Sequence, residues 1–335
     1  MSTPGACILG VESTRLSDQE RAFFQAARPF GFILFARNIE SPDQMRALCN
    51  ELRDATGQNA PILIDQEGGR VQRLRGPVWR EWLPPLEQVM LAGDRAEEAM
   101  YARYRIIAHE LFDLGVDANC APLVDIAGPD THSFLKSRCY GDNPDRVEAV
   151  GRAVARGLAE GGVLPVVKHV PGHGRATVDS HLDLPVVETD AETLDACDFA
   201  PFRALSDQPM AMTAHLVFSA MDERPVTLSP VMIDFIRTTL SVDSLLMTDD
   251  ISMQALQGEV GDLSAQSIEA GCDVVLHCNG NLDEMRQVAY RAGTLQGDAL
   301  RRAEAVHAAR QPVQEVDIPA LEAKLAGLLS GAGHD

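Results

Sequence analysis

Three short stretches carry most of the reactive side chains of this sequence: DQEGGRVQRL at 65–74, KHVPGHGRATVDSH at 168–181 and LLMTDDISM at 245–253. In the second, Asp179 and His181 stand two residues apart, which turns both side chains to one side of an extended segment. An aspartate beside a histidine fixes the ring tautomer and stabilises the imidazolium, so the pair is a usable proton carrier near neutral pH. The plain alternative is a polar loop without a role. His169 and His173 have the HxxxH spacing that can hold zinc on a helix. Pro171, Gly172 and Gly174 oppose a helix there, and the geometry that gives the spacing its meaning is lost.

In the third stretch, Asp249 and Asp250 are adjacent acids, and like charges at a buried strand end raise each other's pKa. A carboxylate in such a place serves as a nucleophile, a metal ligand or a stabiliser of positive charge, while Asp250 can cap the next segment. In the first, Gly68 and Gly69 permit a tight, positive-φ turn directly after a strand. Asp65 then faces the site, with Arg70 or Arg73 able to join it; a structural ion pair is the alternative. The glycines do not form GxGxxG, so no dinucleotide is expected. Lys136, Arg138 and Tyr140, in LKSRCYGDNP, are further candidates for gripping a substrate.

These residues need a frame that gathers them. Aliphatic runs recur at 6–12, 31–36, 60–65, 115–122, 163–168, 210–216, 244–249 and 272–277. Helical patterns lie between them, at roughly 18–28, 42–56, 95–114, 144–160, 190–206, 229–240, 262–270 and 282–293. Ser41-Pro42, Asn143-Pro144 and Ser229-Pro230 read as an N-cap followed by proline at the first helical position. Strands that are apolar throughout are buried on both faces. Eight of them alternating with helices predict an α/β fold, a single-domain (β/α)8 TIM barrel over 1–335, with a helical C-terminal tail from about 298. The strand ends then converge on one rim: Glu12, Arg37, Asp65, Asp125, Lys168, His169, His215, Asp249, Asp250 and His277. Barrel enzymes place their chemistry there.

Composition narrows the partners. The 335 residues are 45% hydrophobic and carry a net charge of -20. Such a surface repels nucleic acid and anionic membrane. The seven cysteines are scattered without CxxC spacing, which gives no support to a zinc ribbon or a redox motif. The N-terminus lacks the basic region and long apolar stretch of a secretory signal, and no apolar run approaches a membrane span. The expectation is a soluble, cytoplasmic monomer without metal or cofactor.

Together, ILIDQEGGRVQRL, KHVPGHGRATVDSHLDLP and LMTDDISM, in that order, resemble the family 3 glycoside hydrolases, in particular their bacterial β-N-acetylglucosaminidase branch that recycles peptidoglycan. The resemblance implies a (β/α)8 barrel and a retaining exo-hydrolase acting on N-acetylglucosamine linked to 1,6-anhydro-N-acetylmuramic acid. It implies Asp249 as nucleophile, and His181 with Asp179 as acid/base. Asp65, Arg73, Arg138, Lys168 and His169 match positions that bind the sugar; KSRCYG departs from the family's usual aromatic after the arginine. A metal-dependent barrel hydrolase using His169, His173 and Asp249, or an inactive sugar-binding barrel, are the rival readings.

Overall fold

The computed structural model describes residues 3–178 and 183–330. Eight parallel strands close into a barrel: β1 (Gly5–Leu9), β2 (Pro29–Leu34), β3 (Ile62–Ile64), β4 (Ala118–Asn119), β5 (Leu164–Val170), β6 (Met210–Thr213), β7 (Leu245–Asp250) and β8 (Val274–His277). Each pairs with its neighbours in sequence, and β1 closes on β8 with Cys7 opposite Val275. The expected TIM barrel is therefore observed. Helices cover the outside, so aliphatic strand residues such as Ile8, Ile33 and Val166 are buried, as apolar strands with two covered faces require.

The expected strand at 115–122 is only two residues long. Side chains take over the backbone bonding around it: Asp117 Oδ1 accepts the Ile62 amide at 2.8 Å, while Asn119 accepts the Gln66 amide and donates to the Gln66 carbonyl. The expected helix at 190–206 divides into Ala191–Ala196 and Ala200–Ala204, because Pro201 has no amide to continue a helix. Helix Pro85–Ala92 and the hairpin of Gln66–Gly68 with Val71–Gln72 were not foreseen. The three Pro-led helices begin as read: Ser41, Asn143 and Ser229 accept the amides of Gln44, Arg146 and Met232. Toward the C-terminus, helix Ile318–Ser330 buries Leu321, Leu325 and Leu328 against helices Ala96–Asp113 and Pro85–Ala92. Among the described residues no helix is long and apolar enough to cross a membrane.

Helix Pro144–Glu160 meets helix Ala96–Asp113 at backbone contact. A Cβ on Gly157 would stand 2.7 Å from the Tyr101 carbonyl oxygen, whereas one on Gly327 would meet nothing within 4 Å. Alanine is the better helix former by about 1 kcal/mol, yet forcing a methyl into packed backbone costs about 1–3 kcal/mol. Urea unfolding should therefore show Gly157→Ala destabilised and Gly327→Ala stabilised by up to about 1 kcal/mol. Equal effects at the two positions would remove the close-approach explanation.

Candidate active site

The β3 end and its hairpin supply the first group. Gly68 and Gly69 have φ of 111° and 57°, as the turn requires, and a Cβ on Gly68 would collide with Arg103 and the Leu83 carbonyl. Gln66 Oε1 accepts the amides of Arg73 and Leu74, folding the chain back so that Arg73 Nη2 reaches Asp65 Oδ2 at 2.9 Å. Arg70 does not join Asp65. It is exposed, lies over the Phe134 ring at 4.1 Å, and forms no ion pair among the described residues.

The ends of β3 and β5 are tied by charge. Lys168 Nζ, 2% exposed, stands 2.9 Å from Asp65 Oδ1 and 2.7 Å from Glu67 Oε1. Arg138, in the connection after β4, grips Glu67 with two bonds of 2.9 and 2.8 Å. Burial alone would raise the Glu67 pKa, but Arg138 and Lys168 lower it from 4.5 to about 2. Burial likewise opposes ionisation of Asp65, and Lys168 and Arg73 overcome it, holding the carboxyl well below the usual range. Lys168 is desolvated too, yet the two carboxylates raise its pKa. Every member of the network is charged at neutral pH.

Asp125, just past β4, supplies the second group. Its carboxylate is fully buried; Oδ2 lies 2.8 Å from His169 Nδ1 and Oδ1 accepts the His173 amide at 2.6 Å. The His169 and His173 rings meet edge to face with centroids 5.5 Å apart. Burial, then the proximity of His169, lowers the His173 pKa to about 4, so this ring is neutral. HxxxH is confirmed as non-helical, since the segment after β5 is a loop. Gly172 and Gly174 are buried close approaches: a Cβ on Gly174 would strike the Ile126 carbonyl, and one on Gly172 would stand 3.1 Å from the Asp198 carbonyl oxygen. Arg175 adds an ion pair to Asp198 at 2.8 Å.

β7 supplies the third group. Asp249 Oδ1 accepts the Asp250 amide at 2.8 Å. Burial works against its ionisation, but the His169 and His215 imidazoles and that amide outweigh it and lower the pKa. Asp250 caps the following turn, accepting from the Ser252 amide and hydroxyl and from the Cys278 amide. His215 lies beneath: its Nε2 donates to the Asp250 carbonyl at 3.1 Å and its Nδ1 meets the Thr227 hydroxyl at 2.8 Å. Burial keeps its pKa low.

The three groups face one cavity of about 230 Å³, lined by Asp65, Arg73, Arg138, Lys168, His169 and Asp249 among others. Six of the eight residues named as site candidates thus share one pocket. The other two, Asp179 and His181, lie outside the described residues. Of the further candidates, Lys136 and Tyr140 do not line it: Lys136 Nζ donates to the Pro129 carbonyl, and the buried Tyr140 hydroxyl accepts the Leu123 amide. Nor do Glu12 and His277, the latter bonded to Glu284 at 2.9 Å. Among the described residues no three His, Cys, Asp or Glu side chains are placed to hold a metal ion. Sequence reasoning missed Glu67 as the partner of two cations, and saw in Asp125 only a rim acid.

Breaking a buried ion pair by removing one partner costs about 3–5 kcal/mol, so Glu67→Gln should lose about that much stability near pH 7. Because the Glu67 pKa is lowered on folding, its contribution is complete above pH 4.5 and disappears as the pH falls through about 2. The gap between wild type and Glu67→Gln in denaturant unfolding should therefore narrow across that window. A gap constant from pH 6 to pH 2 contradicts the charge assignment.

Similarity to known proteins agrees with the barrel fold. The family profile described as "Glycosyl hydrolase family 3 N terminal domain" matches residues 8–311. The chain is 36% identical to a beta-hexosaminidase of Alkalilimnicola ehrlichii over 82% of its own length and 81% of the relative's. It is 38% identical to the beta-hexosaminidase of Methylococcus capsulatus, over 79% and 80% of the two chains. The crystal structure of native NagZ from Neisseria gonorrhoeae superposes with a TM-score of 0.83 at 30% identity, covering 98% of both chains. The chain belongs to glycosyl hydrolase family 3, as a glycoside hydrolase of the beta-hexosaminidase group.

Proposed function

We propose that this protein is a retaining exo-β-N-acetylglucosaminidase that removes terminal N-acetylglucosamine from cytoplasmic muropeptides, GlcNAc-1,6-anhydroMurNAc with or without peptide. The observation that carries the reading is an ionised carboxylate, Asp249, at the mouth of a barrel strand, facing a small cavity walled by charged hydrogen-bonding groups. About 230 Å³ is small beside the ~300–1,000 Å³ of common ligand sites, which suits one sugar ring and an exo mode of attack. Asp65, Arg73, Arg138 and Lys168 would hold that ring together with His169, since ionised groups such as the first four make the stronger hydrogen bonds to hydroxyls.

In this mechanism Asp249 attacks the anomeric carbon while His181, oriented by Asp179, gives its proton to the departing oxygen. A covalent glycosyl-enzyme results. His181 then takes a proton from water, the hydroxide attacks the same carbon, and Asp249 leaves as a carboxylate. Two inversions give net retention. A retaining glycosidase usually has a second carboxyl group as acid/base; here a histidine fills that role. The enzyme works in the cytoplasm as a monomer, with residues 1–335 as one catalytic domain.

A slow fluoro-sugar substrate should leave a stable adduct on Asp249, found by mass spectrometry of its peptide. Asp249→Ala should lose on the order of 10⁴-fold or more in kcat on an aryl β-N-acetylglucosaminide, the scale of removing a covalent nucleophile. Wild-type turnover should survive EDTA and dialysis. Loss of activity with the chelator, or an adduct elsewhere, would point to the metal-dependent alternative or to another nucleophile.

A further inference from the structure

We propose that Asp125 is a positioning residue: it fixes the His169 ring so that Nδ1 carries a hydrogen and Nε2 alone serves the pocket. Asp125 is wholly buried, and its two oxygens do different work. Oδ1 accepts the His173 amide at 2.6 Å, which anchors the chain after β5; Oδ2 faces His169 Nδ1 at 2.8 Å.

A carboxylate that is ionised can only accept hydrogen bonds. Burial opposes ionisation of Asp125, but the neighbouring His169 and His173 outweigh it and lower its pKa. The hydrogen of the 2.8 Å contact therefore belongs to Nδ1. Imidazole then has one nitrogen left. His169 lines the cavity, is only 5% exposed, and has no other protein bond to either ring nitrogen among the described residues. Nε2 is the atom available to a ligand hydroxyl, and the buried carboxylate decides what that atom is. When the ring is neutral, Nε2 is a bare acceptor. This matters because the nearby side chains Lys168, Arg73 and Arg138 are donors without acceptor capacity. A sugar hydroxyl that accepts from one of them needs somewhere to send its own hydrogen, and His169 Nε2 offers that place beside Asp65.

Asp125→Asn keeps the shape and one oxygen for the His173 amide, but turns an N–H toward His169 Nδ1. That selects the opposite tautomer and fills Nε2 with a hydrogen. Removing the carboxylate that orients a working histidine costs about 10–100-fold in metal sites, and a loss of that size in kcat/KM is expected here.

Two measurements test the idea. In ¹⁵N-histidine-labelled wild-type protein, with the His169 signals assigned by their loss in His169→Gln, Nδ1 should be protonated. A bare Nδ1 overturns the proposal. In a double-mutant cycle on an aryl β-N-acetylglucosaminide, Asp125→Asn should lower kcat/KM about 10–100-fold in wild type, and by less than about 3-fold when His169 is already Gln. A residue that merely holds the loop would cost the same in both backgrounds, which equally overturns it. The cycle rests on the N-acetylglucosaminidase reading. Absence of wild-type turnover would count against that reading alone, and the tautomer measurement on the folded protein then decides.

Discussion

The Lys168 ammonium, buried between the carboxylates of Asp65 and Glu67, is the interaction on which the rest of the site depends. It joins the end of β5 to the end of β3 and its hairpin, and through Glu67 it also fixes Arg138 from the connection after β4. Buried charges are expensive unless each finds a partner, and geometry must then be good. The network is complete in that sense, with Arg73 closing the free oxygen of Asp65. Its three cations and two carboxylates leave one positive charge in excess beside the half-buried Asp249. Lys168 thus adds to His169, His215 and the Asp250 amide in favouring the ionised carboxylate against desolvation.

Environment, more than residue type, separates the roles of the acids. Asp65 and Glu67 are held by short ionic bonds, Asp125 by a histidine and a backbone amide, and Asp250 by the turn it caps. Asp249 receives the adjacent amide, and no described side chain forms an ion pair with it. It is the acid left free to meet a ligand. The histidines divide similarly. His215 is consumed by Thr227 and the Asp250 carbonyl, while His169 keeps one nitrogen for the cavity. His173 is buried and neutral, and its Nε2 has no partner among the described residues.

Much of the barrel was legible because its causes are local. Strands buried on both faces must be apolar along their whole length, and the Ser-Pro and Asn-Pro starts announce helices by their own chemistry. Asp65 and Lys168 were legible as candidates because both end such strands. Glu67 was not, since its partner Arg138 lies 71 residues away and nothing near 67 in sequence announces it. Asp125 was visible only as a polar residue after a strand, because the His169 that gives it meaning is 44 residues on. The two-residue β4 has the same origin: Asp117 and Asn119 replace backbone bonds by side-chain bonds, which no hydropathy pattern records. The close approaches at Gly172 and Gly174 in the loop after β5 were not legible for a related reason. Glycine freedom and glycine close packing look alike in sequence, and only the Ile126 and Asp198 backbones against them decide which applies.

The choice of lysine at 168, in a chain whose other cations are nearly all arginine, follows from what the position must do. A guanidinium presents a flat fork that matches one carboxylate, as Arg138 does with Glu67. Lys168 reaches two carboxylates on different residues from one compact nitrogen, whereas a guanidinium spans two with separate nitrogens, as Arg302 does with Asp243 and Asp273. The ammonium hydrogen-bonds Asp65 and pairs with Glu67; no further protein acceptor stands against it among the described residues, and Lys168 lines the cavity. One group therefore both holds the walls together and offers a charged donor to whatever enters, which ties recognition at this site to the integrity of the barrel rim.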